Sequence, residues 1–496
     1  MAYAMGYCLT PLARLKQCLT FSRPVRYLPQ NAIRAESHCF ATAISFRNQR
    51  EDTMPLQPTL NSLCLPLLFA ALCFVSPLFL TLAARAASPD DIPLAPAVEC
   101  SPRAGLPNFF ARLTAGRDVR IAYLGGSITA QDGWRPKSLV YFQKAFPQAK
   151  VSQIDASIGG TGSDLGVFRL KQDVLDQKPD LLFVEFAVND GGAPPAQIYR
   201  TMEGIVRQTW TTLPDCDICY VYTLVEGFAA TLQEGKFPRA ASAMEKVADH
   251  YGIPSIHMGL EVARMARSGK LIFTAPLPKT EAEKKAAGGK IVFSPDSVHP
   301  YPETGHELYL QAIVRSLPAM RAAPQKPGAH ALAAPFVPDN YQRAQIVPID
   351  KAVLSAGFQR LAPESEKVRW FGKRLPGLQR ADKPGETIRF KFKGTRAAIY
   401  DVIGPDCGQV IVTLDDRPPV VQSRFDSFCL YHRLATLPIG TELPDTVHTV
   451  KIEIHPQQPD KVKILAQRHE KMDDPKRFDD TAFYPGALLL VGELVD

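Results

Sequence analysis

Apolar and polar positions change their rhythm twice along this chain. From residue 119 to about 320, short, nearly continuous apolar runs (119–124, 151–154, 181–188, 219–225 and 253–258) alternate with stretches of helical period (136–146, 165–176, 196–212 and 240–250). Apolar strands separated by helices predict a parallel five-stranded sheet covered on both faces, a three-layer α/β domain. Residues 321–348 are rich in Ala and Pro and read as a linker. Beyond it, 387–394 and 447–454 alternate apolar and charged residues, and 409–414 is a further short apolar run. Period two bounded by Gly, Pro and Asp predicts half-buried antiparallel strands, so residues 349–496 are expected to form an all-β sandwich.

The first 87 residues differ from the rest. Residues 63–84 are uncharged and apolar, and Ala84-Arg85-Ala86-Ala87 closes them with small residues. This is the pattern of an export signal cleaved near Ala86-Ala87, with Pro66 and Pro77 favouring cleavage over a permanent anchor. Met54 is a candidate start, which leaves residues 1–53 as a leader whose translation stays open. The expected location is therefore secreted or periplasmic, without stable membrane insertion. Residues 1–87 hold 8 of the 57 basic and 3 of the 50 acidic residues, leaving 49 against 47. The near balance and the lack of a basic stripe exclude nucleic acid as an expected partner.

Five of the ten cysteines fall in the leader. Of the others, Cys407 and Cys429 lie in one β-rich region and suit a disulfide. Cys216 and Cys219 have C-x-x-C spacing, but no second such pair accompanies them, so no metal is expected. No cofactor is implied either.

The candidate chemistry sits at strand ends, where open α/β sheets gather ligands. Gly125-Gly126-Ser127-Ile128-Thr129 follows the first run, 154–163 (Ile-Asp-Ala-Ser-Ile-Gly-Gly-Thr-Gly-Ser) the second, and Asn189-Asp190-Gly191-Gly192 the third. Ser294-Pro295-Asp296-Ser297-Val298-His299-Pro300 precedes a last amphipathic stretch, 304–317. Taken singly, each has a plainer meaning. Gly-Gly-Ser is an ordinary turn, Asn189-Asp190 a turn or helix cap, and the glycines 159, 160 and 162 a bend that lacks a phosphate-loop Lys. His299, like His250, His257 and His306, could be a loop or core histidine.

Taken together and in this order, the four blocks resemble the SGNH/GDSL hydrolase family over residues 118–318. The stretch from Asp155 to Gly160 is also similar to its bacterial thioesterase/lysophospholipase branch. The resemblance implies a flavodoxin-like fold and a serine ester hydrolase. It makes Ser127 the nucleophile, His299 the general base and Asp296 its orienting carboxylate. Ser127 N–H, Gly160 N–H and the Asn189 side-chain amide would form the oxyanion hole. The chemistry agrees: a serine hydroxyl needs a base, the base a fixed tautomer, and the oxyanion preorganised donors. Two positions depart from the family: Gly126 stands where Asp is usual, and Val188 where Gly often precedes Asn. Glu185 reads as a buried, paired carboxylate.

An exported SGNH domain joined to a β-sandwich most resembles carbohydrate esterases, which implies an esterase that removes O-acyl, chiefly O-acetyl, groups from polysaccharide. Trp370, Phe425 and Tyr431 are candidates for sugar stacking, although such aromatics are more often core residues. A lipid ester or thioester acylhydrolase is an alternative, as is an inactive or acyl-transferring glycan-binding protein. Residues 271–290, with Glu281-Ala282-Glu283-Lys284-Lys285, read as a solvated helix or flap.

Overall fold

In the first sheet, strands β1 (Cys100–Ser101), β2 (Val119–Gly125), β3 (Val151–Ser157), β4 (Leu181–Glu185), β5 (Asp217–Tyr222) and β6 (Ser255–His257) lie in the order β1-β6-β5-β4-β2-β3. The strands from β2 to β6 are parallel, and the two-residue β1 adds antiparallel to β6. Leaving β1 aside, this is the flavodoxin-like order, with its switch point beside β2. β4 and β5 are buried at every position because helices cover both faces. Tyr123 of β2 stacks on Phe183 of β4 at 5.5 Å, and Trp134 meets both edge-on. The computed structural model describes residues 91–472 and 474–496. The expected leader, Met54 start, signal run and cleavage point lie outside the described residues.

The 271–290 insertion opens with a strand rather than a helix or flap: β7 (Leu271–Thr274) pairs in parallel with β8 (Ile291–Ser294), which follows the insertion. Between them, helix Glu281–Ala286 buries none of its residues and is closed by a Thr280–Glu283 capping box. Among the described residues, no helix is long and apolar enough to cross a membrane.

The Ala/Pro-rich stretch is strapped to the first domain. Gly328 exchanges hydrogen bonds with the Asn108 amide, His330 stacks on Trp210 at 4.6 Å, and Glu203 accepts the Phe336 and Val337 N–H groups. It then runs into β9 (Ala344–Pro348) and β10 (Val353–Leu354). β11 (Gln359–Arg360) and β12 (Gln379–Arg380) form a small ribbon.

β9 and β10 join β13 (Thr387–Ile403), β14 (Gln409–Leu414), β15 (Val420–Ser423), β16 (Arg433–Gly440), β17 (Thr446–Ile454) and β18 (Tyr484–Val495) in an antiparallel sheet. β13 organises it. Its first half alternates, with Ile388, Phe390 and Phe392 inside and Arg389, Lys391 and Lys393 in solvent. There it pairs with β17, and after a register shift its second half pairs with β16. This second half is buried on both sides. Ala397 and Ile399 face the core of the β domain, while Ala398, Tyr400 and Val402 join the core of the α/β domain. Residues 91–496 accordingly belong to one compact unit.

Cys407 and Cys429, expected as a disulfide, are both free thiols. Each Sγ turns to a local acceptor instead, Cys407 to Val402 O and Cys429 to Asp426 Oδ1. Cys216 and Cys219 are also free and buried. Residues three apart on extended chain face opposite ways, and no group among the described residues could hold a metal.

Candidate active site

The nucleophile candidate owes its position to two glycines. β2 ends at Gly125, where a Cβ would lie 2.5 Å from Thr129 Oγ1, and the chain turns at Gly126 into the short helix Ser127–Ala130. The half-buried Ser127 therefore starts a helix at the carboxyl end of a central strand. From β3 the chain bends through Gly160, whose φ of +74° favours glycine. Gly159 passes so close that its Cβ would be 3.6 Å from Ser127 Cβ. From β4 comes Asn189, whose side chain lies against Gly126. Among the described residues, no hydrogen bond engages the N–H of Ser127 or of Gly160. Those two amides are free to receive a negative oxygen.

β8 delivers the third element. Asp296 Oδ1 accepts the Val298 N–H at 3.1 Å and the His299 N–H at 2.8 Å, closing a turn that puts Ser297 at φ +65°. Ser294 Oγ donates to His299 O at 2.9 Å, and Ser297 O accepts the Glu226 N–H at 3.0 Å. With Oδ1 spent on the turn, Oδ2 takes His299 Nδ1 at 2.9 Å, and His299 Nε2 faces Ser127 Oγ at 2.8 Å. Burial pushes the Asp296 carboxyl up, but the His299 N–H, the imidazole and the Val298 N–H outweigh it and hold the group below its usual range. An ionised Asp296 fixes the proton on Nδ1, leaving Nε2 to accept from the serine hydroxyl. Ser127, Asp296 and His299 are thus brought together, with Gly160 and Asn189 alongside.

The other three candidate histidines, His250, His257 and His306, serve the fold. His306 accepts the Trp134 N–H and bonds Gln131, and burial drops its pKa to about 3. Burial likewise drops His257 to about 3, and His250 bonds Ala334 O. Glu185 is fully buried and accepts the hydroxyls of Thr129 and Thr223, so it is paired with hydroxyls rather than with a cation. Of the three aromatic candidates, Phe425 is only 2% exposed and belongs to the core, whereas Trp370 is 55% exposed.

Sequence reasoning missed Arg169. Its guanidinium, wholly buried behind the site, donates to Ala156 O and Gly125 O at the ends of β3 and β2. Nothing in the local pattern of helix Ser163–Asp173 marks this arginine as pointing inward.

Residues 123–304 match the GDSL-like lipase/acylhydrolase family. No curated protein sequence matches the chain. A two-domain esterase (CEX) active on acetylated mannans superposes with a TM-score of 0.61 at 20% identity, over 79% of this chain and 97% of that one. Its form co-crystallised with mannopentaose gives 0.59 at 21%, over 78% and 94%. At that identity the likeness establishes the fold: a mostly parallel α/β sheet followed by an antiparallel β domain. An acetylxylan esterase from Geobacillus stearothermophilus overlaps 40% of this chain and 94% of its own at 16% identity, with a TM-score of 0.31. The chain therefore carries a GDSL-like lipase/acylhydrolase (SGNH) domain, of a family whose members are typically carboxylic ester hydrolases, joined to an additional β domain.

Proposed function

We propose that this protein is an exported serine esterase that removes O-acyl, chiefly O-acetyl, groups from a polysaccharide. The observation that carries the reading is the unbroken relay from Ser127 Oγ to His299 Nε2 at 2.8 Å and from His299 Nδ1 to Asp296 at 2.9 Å. Ser127 Oγ attacks the acyl carbonyl while His299 takes its proton, and the carbonyl oxygen becomes an oxyanion held by the Ser127 and Gly160 N–H groups and the Asn189 amide. Collapse expels the sugar hydroxyl, which leaves with the proton from His299. Water, deprotonated by the same imidazole, then releases the carboxylic acid and restores Ser127.

Two features support the polysaccharide part. The two-domain esterase that shares both domains with this chain acts on acetylated mannans. The exposed Trp370 offers a flat apolar face of the kind that stacks on sugars. Export rests on the sequence pattern of residues 63–87.

The test is acid release from a panel of acetylated polysaccharides, alongside p-nitrophenyl esters of increasing chain length. A preference for acetyl with release from at least one polymer is expected. Activity that climbs to acyl chains of about eight carbons or more would replace this reading with lipid ester or thioester hydrolysis. A protein left unlabelled by a fluorophosphonate would be an inactive binding module.

A further inference from the structure

Behind the loops that carry the oxyanion donors lie two buried carboxylates that the relay does not use. Asp164 is 6% exposed and Asp190 3%. Asp190 directly follows Asn189, and its Oδ1 accepts the Ser163 N–H at 3.0 Å. Ser163 opens helix Ser163–Asp173, whose N-cap is Gly162 and so has no side chain to cap it. A carboxylate from the Asn189 loop therefore caps the helix that follows the Gly160 loop. Gly162 leaves the room for this: a Cβ there would sit 2.3 Å from Asp190 Oδ1 and 3.0 Å from Asp164 Oδ1.

Two carboxylates this close and this dry do not both ionise, because mutual repulsion adds to the loss of hydration. Burial pushes Asp190 up to about 7; the bonds from Ser163 oppose the rise, and the neighbouring Asp164 adds to it. Burial raises Asp164 as well, and the guanidinium of Arg396 opposes it. Arg396 belongs to β13 of the additional domain. Its Nη1 donates to the Tyr341 hydroxyl at 3.2 Å, and its guanidinium lies over the Phe168 ring, on the same helix as Asp164, at 5.5 Å.

Building on the esterase reading, we propose that Asp190 is a positioning residue for the oxyanion hole. It fixes the separation of the Gly160 and Asn189 donors by holding Ser163 N–H. A shift of about 1 Å in a catalytic geometry can cost two orders of magnitude in rate, so a bond that sets this spacing matters to turnover more than to binding.

Steady-state kinetics on p-nitrophenyl acetate test it. Asp190→Ala is expected to lower kcat roughly 10-fold or more with KM within about two-fold. Asp190→Asn, which keeps an acceptor oxygen for Ser163, is expected to recover kcat to within about three-fold of the parent. A native kcat in Asp190→Ala, or an Asn variant as damaged as the Ala variant, would overturn the proposal. If Asp190→Ala does not fold, the Asn variant still decides, because a loss of kcat beyond about three-fold there overturns the proposal. Hydrogen exchange at the Ser163 amide gives a readout independent of turnover: protection is expected to persist in Asp190→Asn and to fall in any folded Asp190→Ala. Unchanged protection in Ala counts against the proposal, whereas a parent protein inert toward every ester strikes the esterase reading alone.

Discussion

Gly126 and Asn189 share one small space: a Cβ on Gly126 would lie 2.1 Å from Asn189 Oδ1 and 2.8 Å from its Cγ. The departure from the family pattern at position 126 thus has a steric reading. The Asn189 amide occupies the room a larger residue would need. Gly126→Ala is expected to push that amide away from the nucleophile and lower kcat by roughly 10²–10³, the usual cost of one oxyanion donor, with little change in KM. Kinetics on p-nitrophenyl acetate check this; an Ala variant with native kcat would remove Asn189 from the oxyanion hole.

The Asp296 turn allows a substitution that leaves the backbone alone. In Asp296→Asn the side-chain oxygen still accepts the Val298 and His299 N–H groups, but an amide N–H meets His299 Nδ1 and favours the wrong tautomer. By analogy with other triads, kcat is expected to fall by roughly 10³–10⁴ while the melting temperature stays close to that of the parent. A loss of activity that merely tracks a loss of folding would point to a structural role for this carboxylate.

Stability should depend on pH through Asp190. Burial raises its folded-state pKa to about 7, above its value in the unfolded chain. Its contribution is therefore fully present below the unfolded pKa and is lost as pH rises through about 7. Asp190→Asn cannot ionise. Its melting temperature relative to the parent is expected to rise between about pH 5 and 8. Parallel melting curves across that range would show that Asp190 does not titrate there.

In the β domain, Arg424 donates to both oxygens of Asp401 at 2.8 and 2.7 Å, with side-chain exposures of 7% and 0%. Removing one member strands a buried charge, so Arg424→Ala is expected to cost about 3–5 kcal/mol in chemical denaturation. A loss below about 1 kcal/mol would mean that water reaches the pair.

The relay was legible because each part is a short local pattern at the end of an apolar run: Gly-Gly-Ser after β2, the glycine bend after β3, Asn-Asp after β4, and D-x-x-H after β8. The parallel sheet was legible for the same reason, since strands buried on both faces are apolar throughout. Other features left no local trace. β1 is two residues long and carries no period. The second half of β13 does not alternate because its outer face is covered by the other domain. Phe425 and Trp370 look alike as isolated aromatics, yet only Trp370 meets solvent.

By itself the sequence determined which residues are candidates for the chemistry, which strand ends hold them, and where the two rhythms of burial begin and stop, because these follow from side-chain type and local period. The tertiary structure decided the rest. It set His299 Nε2 2.8 Å from a hydroxyl 172 residues earlier, gave Ser163 N–H to Asp190, and laid Arg396 of one domain over the Phe168 ring of the other. Such pairings arise only when distant faces are packed together. Burial then sets both the distance between polar groups and the charge each can bear.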